Sequence, residues 1–259
     1  MAVDVVEVAD QVWHARAEHV GWVIVGDGRD LTLVDTGYPG DRDALAASLS
    51  HLGRAASDVA AIVLTHAHPD HLGNAERLRR EHGTPVLAHA AEAPHARGDV
   101  IEQVSAGALL RRAWRPSVLV WVLDILRLDA TRAGRVPDVG VLPDGPLDAP
   151  GHPVAVHTPG HTSGHCVLHL PERGVVVAGD ALTTAHALLR ETGPQLLPDL
   201  FHTDPAEARR SLDRLVPLAG DVVVPGHGPA FRGSPAAAVD AVRAGEARRT
   251  RPRRHPGRG

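Results

Sequence analysis

A chain of 259 residues with 43% apolar content and a formal charge of −4 can bury a sizeable core and has no global basic excess of the kind that marks a dedicated nucleic-acid binder. All its cationic side chains are Arg and none is Lys, which excludes Schiff-base chemistry on lysine and the lysine of a P-loop. The single Cys166 can form no internal disulfide. The start of the chain, with Glu7 and Asp10, lacks the basic and apolar parts of a signal peptide, so a cytoplasmic location is expected.

Residues 3–8, 12–14, 21–26 and 31–35 are rich in β-branched side chains and separated by polar turns, which predicts an antiparallel meander. Helical spacing over 41–52 ends at Gly53, and the apolar run 59–64 reads as a buried strand that leads directly into Thr65-His66-Ala67-His68-Pro69-Asp70-His71. A helix is predicted over 72–82, stopped by Gly83, and a short strand over 85–88. Residues 98–128 form an apolar-rich segment that Pro116 should break into two helices. Its Arg111, Arg112, Arg115 and Asp124 keep it from spanning a membrane. It reads as a helical insertion over the site or at a homodimer contact. Strands follow at 154–157, 167–170, 175–178 and 222–224, with helices at 205–216 and 235–249. One domain over 1–247 is expected, and the Arg-rich, aromatic-free 248–259 reads as a disordered tail.

Six residues, 66–71, hold three imidazoles and a carboxylate. Neutral imidazole nitrogen and carboxylate oxygen are the ligands that borderline divalent metals prefer. Three further segments repeat one pattern, a strand and a Gly turn followed by a ligand-capable side chain: Thr158-Pro159-Gly160-His161, Val177-Ala178-Gly179-Asp180 and Val224-Pro225-Gly226-His227. A carboxylate such as Asp180 can bridge two cations roughly 3.5–4 Å apart.

Together with Leu33-Val34-Asp35-Thr36-Gly37 and Thr158-Pro159-Gly160-His161-Thr162-Ser163-Gly164-His165, these motifs resemble the metallo-β-lactamase superfamily, in the family's order from about residue 20 to 230. The resemblance implies an αββα sandwich of two mixed sheets flanked by helices. It implies two divalent metal ions, zinc favoured over manganese or iron: His66, His68 and His161 on the first, Asp70, His71 and His227 on the second, Asp180 bridging. Asp35 would support the metal loop, a hydroxide between the ions would be the nucleophile, and Asp70 would also act catalytically. His165 is expected to hydrogen-bond behind the ligands, Ser163 to serve the turn, His89 to be structural, and Tyr38 to approach the pocket.

Departures from the family's branches narrow the choice. Asp180-Ala181-Leu182-Thr183 lacks the tyrosine that homoserine-lactone lactonases carry, and the residues after His227 are too few for the C-terminal domain of glyoxalase II. The expected function is hydrolysis of an ester, thioester, lactone or related bond. The apolar 98–128 segment, with Trp114 and Trp121, points to a small-molecule substrate with an apolar portion; both Trp should act on KM for long-chain substrates. No membrane or nucleic-acid partner is expected. Two alternatives stand beside this reading, a mononuclear iron sulfur dioxygenase and a non-catalytic binding protein that retains its metals.

Overall fold

The computed structural model describes residues 3–132 and 134–250. Strands β1 (Asp4–Ala9), β2 (Val12–Arg16), β3 (Gly21–Asp27) and β4 (Asp30–Val34) form the antiparallel meander. Three parallel strands, β5 (Val59–Val63), β6 (Val86–Ala88) and β7 (Gly140–Val141), extend it into a seven-stranded sheet in chain order. The second sheet contains β8 (Val154–His157), β9 (Cys166–Leu170), β10 (Val175–Gly179), β11 (Val222–Pro225) and β12 (Phe231–Arg232), ordered β12-β11-β10-β9-β8. Only its β10–β11 pair is parallel.

Side-chain alternation builds three apolar layers from these strands. Val23, Val25, Val34 and Val63 of the first sheet face Leu168, Leu170, Val177 and Val224 of the second. Their neighbours point outward: Trp22, Ile24, Leu33 and Ile62 pack on Leu45 and Leu49 of α1 (Arg42–His51). α2 (Pro69–Leu72), α3 (Ala75–His82) and α4 (Ala93–Arg97) complete that side. On the far face, Val167, Val176 and Val223 meet Leu212, which follows α7 (Pro205–Ser211), and Val239 and Val242 of α8 (Pro235–Thr250). The result is the α/β sandwich, with two mixed sheets between helical layers. Each fully buried aliphatic side chain contributes roughly 1.5–3 kcal/mol. Cys166 lies in the inner layer, where burial pushes its thiol far above the usual range, so it packs as a small apolar side chain.

Several elements differ from the sequence pattern. The helix expected over 72–82 is two, α2 and α3, separated by Gly73-Asn74. A side chain at Gly73 would lie 2.5 Å from the backbone of Gly37 and Tyr38, so this break lets the loop after β4 press against the metal-loop segment. α7 ends at Ser211 and its continuation is a 3-10 turn. The apolar segment folds as α5 (Ala106–Leu110) and α6 (Pro116–Arg127), with Pro116 at the first position of α6, where its missing N–H costs nothing. Of the expected tail, residues 248–250 close α8 and 251–259 lie outside the described residues.

Candidate metal centre

The centre is built where β4 and β5 end side by side. Asp35, just past β4, sits at φ 63°, an uncommon conformation for a residue with a Cβ. It accepts the Thr65 N–H at 2.8 Å on Oδ1, and the Thr65 hydroxyl and the His71 Nδ1–H at 2.7 Å each on Oδ2. One carboxylate thereby fixes both ends of the 65–71 loop, the supporting position expected of it.

All seven residues singled out from the sequence converge here. The groups His66–His68–His161, His66–His71–Asp180 and Asp70–His71–His227 each bring their ligand-capable atoms within 4.8 Å of one another. The partners on the far side of each ring decide which nitrogen is free. His66 Nδ1–H donates to Thr65 Oγ1 at 3.1 Å, and His68 Nε2–H to the Glu102 carbonyl at 2.5 Å. His161 Nδ1–H donates to His202 Nδ1 at 3.3 Å, and His227 Nδ1–H to the His19 carbonyl at 2.6 Å. Each ring therefore turns its other nitrogen toward the centre, where His161 Nε2 and His68 Nδ1 meet at 3.0 Å. His66 Nε2, His71 Nε2 and Asp180 Oδ1 are buried there with no hydrogen-bond partner, a costly arrangement unless something electron-poor lies between them.

The separations fit the same reading. Asp180 Oδ2 lies 3.4 Å from His161 Nε2 and 3.3 Å from His227 Nε2, and Asp70 Oδ2 lies 3.4 Å from His227 Nε2 and 3.7 Å from His71 Nε2. Donors held at about 2.1 Å from a shared tetrahedral ion stand about 3.4 Å apart. The donor set therefore fits divalent metal.

Electrostatics divide the centre in two. Burial holds His66 and His161 well below the usual imidazole range, so they are neutral and ready to ligate. Burial also opposes charge on His71, but the carboxylates of Asp35, Asp70 and Asp180 outweigh it and raise the group to about 9; His227 is raised likewise by Asp180 and Asp70. Burial pushes Asp70 upward, yet His71 and His227 prevail and hold it at about 2. In the metal-free protein, positive charge on this side of the centre is carried by protons.

His165 hydrogen-bonds behind the ligands, as expected: its Nδ1–H donates to Thr158 Oγ1 at 2.8 Å and its Nε2 accepts the Asp180 N–H at 3.1 Å. Three supporting residues carry no motif. The fully buried Glu92 carboxylate accepts the Ala67 N–H, the Thr162 hydroxyl, the Gly164 N–H and the His95 Nδ1–H at 2.7–3.0 Å. It ties the first metal-loop turn to the turn that bears His161. Glu102 meets His68 by its carbonyl and Ser163 N–H by its carboxylate at 2.6 Å, which gives Ser163 the turn role expected of it. His202 donates Nε2–H to the Leu197 carbonyl at 3.2 Å and so offers Nδ1 to His161. Gly160 is compelled beside them, at φ 123° with Ala208 N only 2.1 Å from where a Cβ would sit.

A cavity of about 420 Å³ opens over Asp70, His161, Asp180 and His227. Its walls are apolar, including Leu109, Leu119, Trp121, Ile125 and Phe201, and no Arg lines it among the described residues. Tyr38 lines it. His186 lines it too, packed against Trp121, Phe201 and His227, where burial pushes its pKa down to about 3. His89 stacks on His157 at 4.1 Å and belongs to none of the ligand-capable groups. Trp114 departs from the sequence expectation: it is 78% exposed on the outer surface, with Arg115 over its ring, and does not line the cavity. Pro116 turns the chain between the two Trp, so one faces in and the other out.

The family profile described as the metallo-beta-lactamase superfamily matches residues 17–227. The chain belongs to this superfamily. It is 32% identical over 215 residues to metallo-beta-lactamase domain-containing protein 1 of Xenopus laevis, covering 82% of this chain and 72% of that protein. Over 208 residues it is 27% identical to Probable metallo-hydrolase YflN of Bacillus subtilis, covering 76% of this chain and 75% of that protein. The human metallo-beta-lactamase domain-containing protein 1 is 32% identical over 212 residues, and the match spans 60% of that longer protein. Among solved structures, a metallo-beta-lactamase family protein from Thermus thermophilus superposes with a TM-score of 0.64 at 28% identity, over 89% of this chain and 75% of that one. Among the described residues, no helix is long and apolar enough to cross a membrane.

Proposed function

We propose that this chain is a hydrolase that works with two divalent ions, zinc favoured, and cleaves an ester, thioester or lactone in a small molecule whose non-reacting part is apolar and uncharged. His66, His68 and His161 would hold one ion, and Asp70, His71 and His227 the other, with Asp180 between them. The observation that carries this reading is the convergence of one nitrogen from every ring on the centre, with the other nitrogen bonded on the ring's far side. When bound, such ions supply a water of lowered pKa and polarise the scissile group.

Asp70 is the carboxylate of the centre most open to the cavity, its side chain 14% exposed against 3% for Asp180. Ionised at neutral pH, it can hold a metal and take up a proton bound for the leaving group. The apolar walls receive an acyl or aromatic portion, and a substrate carboxylate or phosphate would meet no guanidinium there. A mononuclear iron site would need only part of this ligand set, and the assembly of Asp70, His71 and His227 favours two ions. The cavity over the centre favours catalysis over a purely structural role for the metals.

The test is turnover by zinc-loaded protein of uncharged esters, thioesters and lactones of increasing acyl length, beside acyl chains ending in a carboxylate. kcat/KM should rise with length and fall with the terminal charge. Absence of cleavage across the panel would overturn the reading.

A further inference from the structure

Outside the centre, one other group of ligand-capable side chains comes together among the described residues: Glu18, His19 and Asp124, whose donor atoms lie within 4.8 Å of one another. Glu18 and His19 occupy the turn between β2 and β3. Asp124 comes from α6, more than a hundred residues along the chain.

We propose that this cluster is a second, separate divalent-cation site that clasps α6 to the β2–β3 turn. The His19 side chain is nine-tenths buried, and its Nε2 has no hydrogen-bond partner although it points at Asp124 Oδ2, 3.7 Å away. That separation is too long for a hydrogen bond. It equals the His71 Nε2–Asp70 Oδ2 separation in the metal centre. Asp124 makes a contact pair where a donor is in reach, since its Oδ1 accepts from Arg127 at 2.7 Å, so Oδ2 stands off from His19 with space for an ion between them. One imidazole and two carboxylates suit Zn²⁺ or Mn²⁺, with water completing the shell on the exposed Glu18 side.

The site lies where α6 approaches the centre. The His19 carbonyl accepts the Nδ1–H of His227, and Ile125 packs on the buried cluster of Val20, Tyr38 and Leu128. A cation here would hold the cavity wall of α6 against the turn that orients His227. The proposal stands independently of the hydrolytic reading.

The test is titration with MnCl₂ of protein reconstituted with two equivalents of zinc per chain, enough for the seven-residue centre and no more, following free Mn²⁺ by electron paramagnetic resonance, with tryptic cleavage at Arg111–Arg127 measured in parallel. The wild type should take up one Mn²⁺ per chain that neither Asp124→Asn nor His19→Gln takes up, and cleavage of the wild type alone should slow several-fold as the ion binds. Equal uptake by the wild type and both variants, or no uptake by any, overturns the site. Uptake with no change in cleavage overturns the clasp. Because the readout is stoichiometry and proteolysis, failure here leaves turnover by zinc-loaded protein as the separate measure of the hydrolytic reading.

Discussion

The Nδ1 atoms of His161 and His202 lie 3.3 Å apart, and the Nε2–H of His202 is committed to the Leu197 carbonyl. Its Nδ1 is then an acceptor, which places the proton of His161 on Nδ1 and the lone pair on Nε2, facing the centre. Removal of such a partner behind a ligand weakens metal binding by roughly 10–100-fold. His202→Ala should show this loss for the ion held by His66, His68 and His161, measured by competition with a chromophoric chelator. Unchanged affinity for both ions would show that His161 orients without help.

Glu92 collects four donors on one buried carboxylate. Glu92→Gln keeps the shape but turns one acceptor oxygen into an N–H₂ facing two of those donors. Each buried donor left unpaired costs about 1–3 kcal/mol. The variant should therefore lose roughly 2–6 kcal/mol in denaturant unfolding, together with metal affinity, because the Ala67 and Gly164 turns separate. Native stability in Glu92→Gln would contradict the bracing role.

Metal uptake should release protons. His71, raised to about 9, and His227, raised well above its usual value, both favour the protonated form at pH 7 in the metal-free protein, and a metal binds only the neutral ring. Both folded-state values lie above the ordinary one, so the protons are held until the pH climbs past them, and apparent metal affinity rises with pH toward 9. Calorimetry in buffers of different ionisation enthalpy should report nearly two protons released per chain at pH 7. Heats independent of the buffer would show that the carboxylates do not protonate these rings.

The two Trp of the apolar 98–128 segment should behave differently. Trp121 lines the cavity and Trp114 faces outward. Trp121→Ala should lower kcat/KM for long acyl chains by roughly ten- to a hundredfold and for acetyl substrates far less, whereas Trp114→Ala should leave both unchanged. Equal effects of the two substitutions would remove the segment from substrate binding.

Much of this arrangement was legible in the sequence because the candidate ligands sit in strand-to-turn segments whose glycines and clustered imidazoles are local signals. His66 to His71 fall within six residues, and His161, Asp180 and His227 each follow a Gly close to the end of a strand. The residues behind them left no local mark. Glu92, Glu102 and His202 act across 25 to 72 positions of chain, and no spacing rule reaches that far. The break between α2 and α3 was hidden for a similar reason, since Gly73 is dictated by the approach of Gly37 and Tyr38 from another strand end. Trp114 misled because apolar composition over 98–128 says nothing of which face each helix turns inward.

The most direct measurement is the metal content of protein purified without added metal and dialysed exhaustively, run beside ester and lactone hydrolysis with and without chelator. The account predicts two tightly held zinc ions per chain and cleavage that chelator removes and zinc restores. One iron per chain, with O₂ uptake and no cleavage, would contradict it.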